Sequence, residues 1–137
     1  MIIVDTNVIA YLWLPGAHSD SASRALRKDP AWAAPILWRS EFRNVIAGYV
    51  RRKRLSYTTA LQILSEAGAL LRNGEYSVSS TEVMHLVLQS NCSAYDCEFA
   101  ALAHELETSL VTTDKQLLAA FPKLAVPLEK FARKSRV

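Results

Sequence analysis

The sequence predicts a single three-layer α/β/α domain with a central, mostly parallel sheet of about four to five strands. Short apolar runs rich in β-branched residues alternate with stretches of helical period along the chain, which is the pattern of successive βαβ units. The 137 residues have the length of one ordinary domain, enough to bury roughly two-thirds of the surface of the unfolded chain. No repeat, low-complexity tract or linker divides the sequence.

The chain opens with a predicted strand that is covered on both faces. Three consecutive aliphatic residues follow Met1, as expected for a strand inside a parallel sheet. Asp5 comes next, at the carboxyl end of this strand, and the short polar residues Thr6 and Asn7 follow it. Because ligands of open α/β sheets bind at the carboxyl ends of the strands, Asp5 starts an active-site hypothesis.

The later elements are predicted from apolar period, capping residues and turn residues. In chain order they are a short helix or turn over 8–14, a helix over 19–29, a strand over 31–37, a helical hairpin over 38–50 and 57–71, a short strand over 76–78, helices opened by the capping boxes at 79–82 and 93–96, a strand over 109–113, a helix over 115–121 and an edge strand over 126–128. We expect one domain over residues 1–131 and a frayed basic tail over 132–137.

Apolar spacing assigns a face to three of these helices. In the first helix of the hairpin, the face comprises Trp38, Phe42, Val45, Ile46, Tyr49 and Val50. In the second helix it comprises Tyr57, Leu61, Leu64, Gly68 and Leu71. The helix after the first capping box carries Val83, Met84, Val87 and Leu88. A surplus of large apolar side chains at Tyr11, Leu12 and Trp13 fits either a surface for another chain or a helix packed inside the domain.

The composition favours a soluble cytoplasmic protein with a basic surface. No apolar run approaches the roughly 18 residues of a membrane span, and an acid as early as Asp5 argues against a signal peptide. The net charge is +3, from 16 basic and 13 acidic residues. If four acids occupy one pocket, nine acids remain against the 16 basic residues. A basic body around an acidic centre suits a polyanion bound through its phosphates.

Cysteine and histidine give little support to a catalytic or zinc role. Cys92 and Cys97 have no CxxC partner and are expected to be buried free thiols. His18, His85 and His104 lie in different predicted elements, which disfavours a histidine metal site or a catalytic triad.

Four carboxylates form the candidate site. Taken singly, Asp5 and Asp114 fit helix N-caps, while Glu41 and Asp96 fit first turns, where the helix dipole favours an anion. Taken together, all four fall at strand carboxyl ends or at the helix starts that follow them. These positions meet at one edge of a doubly wound sheet.

Clustered carboxylates repel one another, and they either raise their pKa values or recruit a cation. An all-oxygen set without His or Cys suits Mg²⁺ or Mn²⁺, whose chemistry includes phosphodiester hydrolysis. Short polar side chains nearby are candidates for a supporting layer that hydrogen-bonds the acids or holds metal-bound water: Thr6, Asn7, Ser93, Thr112 and Thr113.

A basic run at the end of the first hairpin helix is a candidate contact for nucleic-acid phosphates: Arg51, Arg52, Lys53 and Arg54. Cations at a helix C-terminus also complement the helix dipole, so phosphate contact and a local structural role are both open for this run.

Four segments carry a resemblance to a known family. They are Ile3-Val4-Asp5-Thr6-Asn7, Ser40-Glu41-Phe42-Arg43-Asn44-Val45, Ser93-Ala94-Tyr95-Asp96 and Leu110-Val111-Thr112-Thr113-Asp114-Lys115. In order and spacing they resemble the motifs of PIN-domain ribonucleases, and most closely the VapC-type toxins of type II toxin–antitoxin modules. The likeness extends from Met1 to about Phe131.

The resemblance implies a Mg²⁺- or Mn²⁺-dependent endoribonuclease in which Asp5, Glu41, Asp96 and Asp114 are the acidic residues. It also implies a homodimer held inactive by a cognate antitoxin, with operator DNA bound only through that antitoxin.

Two other functions stay open at this stage. A metal-dependent phosphatase of the haloacid dehalogenase type also begins with a strand ending in Asp, but it needs a second Asp where this chain has Asn7. A catalytically inactive PIN-like binding module is the non-enzyme alternative, against which the intact set of four acids argues.

Overall fold

The computed structural model describes residues 1–133. Its strands are β1 (Ile2–Val4), β2 (Trp32–Pro35), β3 (Glu75–Tyr76), β4 (Leu110–Thr112) and β5 (Ala125–Pro127). Its helices are α1 (Thr6–Tyr11), α2 (Ser19–Lys28), α3 (Trp38–Arg51), α4 (Tyr57–Leu71), α5 (Ser80–Leu88), α6 (Ala94–Glu105), α7 (Lys115–Ala120) and α8 (Leu128–Arg133). No helix within residues 1–133 is long and apolar enough to cross a membrane.

The five strands form one parallel sheet in the order β3-β2-β1-β4-β5. In the central strand, Ile3 pairs with Ala33 of β2 on one side and with Leu110 of β4 on the other. All three residues of β1 are buried, because helices cover both faces of a parallel sheet. The predicted α/β fold with a parallel sheet of four to five strands is confirmed.

The strand order reverses between β1 and β4. The chain builds β1, β2 and β3 outward in one direction, then crosses to place β4 and β5 on the other side of β1. Such a switch point opens a crevice beyond the carboxyl ends of the two strands, and ligands of open α/β sheets bind there. Asp5 follows β1 directly, so it lies at this point.

Helix α6 packs against β1, β2 and β4 at the centre of the sheet. Its small residues allow a close approach, and Cys97, Ala100, Ala101 and Ala103 are all buried. Cys92 and Cys97 are buried free thiols, as predicted, and burial raises the pKa of both thiols.

The predicted face is correct for α3 and wrong in part for α4 and α5. On α3, Trp38, Phe42 and Ile46 are buried. On α4 the buried residues are Ala60, Ile63, Ala67 and Leu71, whereas Tyr57 is 72% exposed and Leu61 is 48% exposed. On α5, Val83 and Leu86 are buried, while Met84 and Leu88 face solvent. Both helices are apolar on more than one side, so the apolar spacing alone does not determine which side packs inward.

The surplus apolar residues of the first helix region serve the domain itself. Tyr11, Leu12 and Trp13 are partly buried and pack against the core. The Trp13 ring centroid lies 6.2 Å from that of Phe42, and its indole nitrogen donates a 2.9 Å hydrogen bond to Glu66 on α4. Packing between helices therefore accounts for these residues.

The C-terminal part contains one helix that the sequence did not predict. The expected edge strand is present as β5, but Leu128 begins α8. Helix α8 packs against α2 and continues to Arg133, two residues past the expected domain boundary. The other residues of the expected basic tail, 134–137, lie outside the described residues.

Candidate active site

The four predicted acids line one open cleft of about 240 Å³ at the carboxyl edge of the sheet. Asp5 and Asp114 come from the loops after β1 and β4, Glu41 from the first turn of α3 and Asp96 from the first turn of α6. The remaining lining residues are Thr6, Asn7, Asn44, Val45 and Phe99. The cleft therefore has three walls, formed by the ends of β1 and β4, by α3 and by α6. Each wall contributes at least one carboxylate.

Asp5 is the most enclosed of the four acids, with 8% of its surface exposed. Its Oδ1 accepts a 3.1 Å hydrogen bond from the amide of Val8 and thereby caps α1. Its Oδ2 accepts a hydrogen bond from the hydroxyl of Thr112, which is fully buried. The carboxylate is therefore held in one orientation by one donor from α1 and one from β4.

Burial raises the pKa of Asp5 from 3.8 to about 6. The hydrogen bonds from Thr112 and Val8 oppose this rise, while repulsion from Asp114 and Asp96 adds to it. The pKa of Asp96 is also raised, first by burial and then by Asp114. These two acids have raised pKa values and form no salt bridge within residues 1–133. A bound cation would stabilise their ionised forms.

The other two acids are positioned by local contacts. Glu41 Oε1 accepts a 2.6 Å hydrogen bond from the hydroxyl of Thr6, which ties the start of α3 to the start of α1. Asp114 caps α7 by accepting a 2.9 Å hydrogen bond from the amide of Leu117. The capping roles predicted for Asp5 and Asp114 are therefore correct, and these acids line the cleft as well.

The predicted supporting residues differ in whether they contact an acid, contact another residue or line the cleft. Thr112 joins two acids, because its hydroxyl donates to Asp5 and accepts a 3.0 Å hydrogen bond from the amide of Asp114. The hydroxyl of Thr113 instead bonds that of Tyr11 at 2.9 Å. Ser93 caps α6 by accepting from the amide of Asp96. Thr6 and Asn7 line the cleft directly.

The basic run lies away from the acids. Arg51 is ten residues after Glu41 on α3, which corresponds to about 15 Å along a helix. Arg51, Arg52, Lys53 and Arg54 are all exposed. The Arg52 guanidinium stacks over the ring of Tyr49 at 4.9 Å. None of the four lines the cleft, so they could contact only a substrate that extends beyond it.

Four residues at or beside the site were not predicted as site residues: Asn44, Val45, Phe99 and Glu98. Two of them, Asn44 and Val45, lie in one of the four segments that carry the resemblance. Asn44 and Phe99 line the cleft, and Glu98 is close enough to Glu41 for repulsion to contribute, after burial, to the raised pKa of Glu98. The i, i+3 spacing of Glu41 and Asn44 was a usable signal, since residues three apart share a helix face. Nothing local marks Phe99 or Glu98, because their positions depend on how α6 meets α3.

The lining fits a hard divalent cation. Every carboxylate, amide and hydroxyl that faces the cleft offers oxygen, which Mg²⁺ and Mn²⁺ prefer. Within residues 1–133, no three His, Cys, Asp or Glu side chains form a ready-made metal-binding group. Mg²⁺ usually takes one or two carboxylates and keeps several of its waters, so separated acids around an open cleft suit it better than a closed cage would.

Comparison with known proteins gives the family. A family model described as the PIN domain matches residues 2–124. Ribonuclease VapC3 from Pyrobaculum aerophilum is 29% identical over 129 residues, which cover 92% of this chain and 98% of that protein.

Two solved structures share the fold at lower identity. The structure of PAE2754 from Pyrobaculum aerophilum has a TM-score of 0.76 at 20% identity and covers 96% of this chain and 92% of its own. A toxin–antitoxin complex from Klebsiella pneumoniae has a TM-score of 0.67 at 17% identity, with 93% and 98% covered. With the family match over nearly the whole domain and the acidic cleft at the switch point of the sheet, this chain belongs to the PIN-domain family.

Proposed function

We propose that this protein is a Mg²⁺- or Mn²⁺-dependent endoribonuclease that acts as the toxin of a toxin–antitoxin pair. The observation that carries the proposal is the meeting of four carboxylates from three walls in one cleft. Membership of the PIN-domain family supports it, as does the 29% identity to a protein named as a VapC ribonuclease.

In this proposal Asp5, Asp96 and Asp114 hold the metal, and Glu41 holds a second ion or orients the attacking water. A bound divalent ion supplies the charge that lowers the pKa of water and stabilises the anionic phosphoryl oxygens during hydrolysis. The hydroxyl of Thr6 occupies one oxygen of Glu41 and leaves the other available to a water molecule. Thr112 fixes the Asp5 carboxylate relative to Asp114.

The raised pKa values of Asp5 and Asp96 are consistent with this assignment. Without a cation, burial and mutual repulsion favour the protonated acids. A divalent ion favours the ionised form and so returns these pKa values toward or below their ordinary range. Metal affinity should therefore fall as the pH is lowered through about 6, because protons compete for Asp5.

The partners proposed are an RNA substrate, a cognate antitoxin and a second copy of the chain, with operator DNA reached only through the antitoxin. The toxin–antitoxin complex from Klebsiella pneumoniae with the same fold supports the antitoxin partner. Two separate helices expose apolar pairs one turn apart, Tyr57 with Leu61 on α4 and Met84 with Leu88 on α5. Exposed apolar surface of this kind is typical of protein interfaces.

The test is cleavage of a mixed pool of structured RNAs by antitoxin-free protein. We expect cleavage with Mg²⁺ or Mn²⁺, none with EDTA, and none by the Asp5→Asn and Asp96→Asn variants. A purified wild type that binds Mn²⁺ but cuts no RNA in the pool would favour the inactive binding module instead.

A further inference from the structure

The cleft presents many acceptors to its substrate and few donors. Of the nine residues that line it, four are carboxylates, and only Asn7 and Asn44 carry side-chain N–H groups. Thr6 contributes a hydroxyl to the lining, but this hydroxyl already donates a 2.6 Å hydrogen bond to Glu41. An RNA phosphodiester has non-bridging oxygens that only accept hydrogen bonds. Ionised carboxylates cannot donate to them, so among the side chains that line the cleft this role falls to an amide, beside any bound metal.

The two amides stand in different electrostatic surroundings. Asn7 lies two residues after Asp5, in the first turn of α1. Asn44 lies on α3 together with Glu41 and Val45. The α3 wall therefore carries one acid, one amide and one apolar side chain, and it is the wall that places an amide donor beside a single carboxylate.

The position of Asn44 leaves its amide free for a ligand. It follows Glu41 by three residues, so the two side chains share one face of α3. The Asn44 side chain is exposed and makes no hydrogen bond to any part of the chain that the structure describes. No capping or packing role occupies this amide, in contrast to Asp5, Asp114 and Thr6.

We propose that the Asn44 side-chain amide donates a hydrogen bond to a non-bridging oxygen of the scissile phosphodiester and so positions the RNA against the metal-binding acids. This inference rests on the proposed nuclease function. It assigns Asn44 to the substrate and not to the metal, which makes the two roles separable by experiment.

The first test compares variants in steady-state cleavage of a single-stranded RNA whose cut site has been mapped with the wild type. Asn44→Leu keeps the branched shape and the number of heavy atoms of the side chain and removes the donor, so we expect kcat/KM to fall about 10- to 100-fold, the loss for one hydrogen bond to a charged oxygen. Asn44→Asp should lose more, because it adds a repelling charge. Asn44→Gln should restore part of the activity, and Mn²⁺ affinity should stay at the wild-type value in Asn44→Leu.

The matched control is Asn73→Leu. Asn73 is also an exposed asparagine, but it precedes β3 and so lies at the opposite edge of the sheet from the cleft. Its replacement should leave kcat/KM unchanged. Loss of Mn²⁺ affinity in Asn44→Leu would overturn the inference, because the amide would then serve the metal site. Wild-type activity of Asn44→Leu would overturn it as well.

The second test locates the interaction on the RNA. Binding is measured in the Asp5→Asn background with the same RNA carrying one methylphosphonate at the cut site, where a methyl group replaces one non-bridging oxygen. For one diastereomer, this change and Asn44→Leu should each weaken binding and together should weaken it no further. Full additivity with both diastereomers, or non-additivity only with a 2′-deoxy substitution, would overturn the phosphate assignment. If no form binds or cuts any RNA, the proposed nuclease function itself fails.

Discussion

Two carboxylates of this protein are shielded from water but differ in the charge of their hydrogen-bond donors. At the outer edge of the sheet, Glu75 of β3 accepts two hydrogen bonds from Arg39, at 2.6 and 2.9 Å, and one from the indole of Trp38 at 2.8 Å. At the switch point in the centre, the donors to Asp5 in the described part of the chain are both uncharged, the hydroxyl of Thr112 and the amide of Val8.

The pKa shifts follow this difference. The hydrogen bond from Arg39 is the main cause that lowers the pKa of Glu75, whereas burial raises the pKa of Asp5 to about 6. Glu75 has its counter-charge within the chain, on the α3 helix that it anchors. Asp5 has no counter-charge among the residues that the structure describes, and repulsion from Asp114 and Asp96 further raises its pKa. A carboxylate paired inside the chain stabilises the fold, and one left unpaired beside other acids is suited to an external cation.

The largest expected difference between the two regions is in activity. Asp5→Asn or Asp96→Asn should lower kcat by about 1,000-fold or more, since several kcal/mol of transition-state stabilisation depends on metal bound there. Glu75→Gln should stay within a few-fold of the wild type under conditions where it is folded. Steady-state RNA cleavage measures the activity of these variants. Equal losses of kcat in the aspartate variants and in Glu75→Gln would contradict a catalytic role specific to the cleft.

The second difference is the sign of the stability change. In metal-free protein at pH 7, Asp5→Asn should raise the free energy of unfolding, by up to about 3 kcal/mol, because it removes a buried charge whose pKa is raised by roughly two units. Glu75→Gln should lower it by about 1–2 kcal/mol, because it breaks a charge-assisted bidentate contact.

Urea denaturation in EDTA, with helical circular dichroism as the signal, measures these two free energies. Destabilisation by Asp5→Asn would show that the carboxylate stabilises the protein more by capping α1 than it destabilises the protein by its burial.

The pH dependence should also differ between the two acids. The pKa of Asp5 is raised in the folded state, so its contribution to stability is full below its ordinary value of 3.8 and is lost as the pH rises through about 6. The pKa of Glu75 is lowered, so its contribution is present above its ordinary value of 4.5 and is lost as the pH falls below it.

Metal-free wild type should therefore gain stability when the pH is lowered from 7 to about 4.5, and Asp5→Asn should gain much less. Thermal unfolding in EDTA across this range measures the difference, and a saturating concentration of Mg²⁺ should remove or reverse it. Parallel curves for the two proteins would contradict the raised pKa of Asp5.

The smallest expected effect concerns the basic run at the end of α3. Replacing Arg51, Arg52, Lys53 and Arg54 with Gln should weaken binding of a long single-stranded RNA and reduce its salt dependence. The log–log slope should fall by roughly 0.7 for each phosphate that the run no longer neutralises. Because the run lies about 15 Å from Glu41 along the helix, a short oligonucleotide confined to the cleft should bind unchanged. An unaltered salt slope with long RNA would show that these residues do not contact RNA phosphates and have only a structural role at the end of α3.

The parts of this fold that the sequence predicts are those with local signals. The aliphatic run before Asp5 and the one before Asp114 mark the two central strands, and the acids at their ends could be placed at one edge because parallel strands end together. Glu41 and Asp96 could be assigned to first turns from the apolar period and from the capping serine before Asp96. These signals sufficed to predict that the four acids lie close together at one edge of the sheet.

The parts that could not be predicted depend on contacts between distant segments. The pairing of Glu75 with Arg39 joins residues 36 apart, and the hydrogen bond from Thr6 to Glu41 joins residues 35 apart. The face of α4 was misassigned because both of its sides are apolar, so that packing against β2 and α3, and not the period, decides that Ile63 is buried and Leu61 exposed.

The proposed metal site depends on acids that have no basic partner within residues 1–133 and that a divalent cation can therefore bind. Calorimetric titration of metal-free protein with Mn²⁺, at pH 7, tests this dependence across the wild type, Asp5→Asn, Asp96→Asn and Glu75→Gln. We expect saturable binding by the wild type and by Glu75→Gln, and a large loss of affinity in both aspartate variants. No binding by folded wild type at millimolar Mn²⁺, or equal binding by all four proteins, would show that the unpaired acids do not form a metal site.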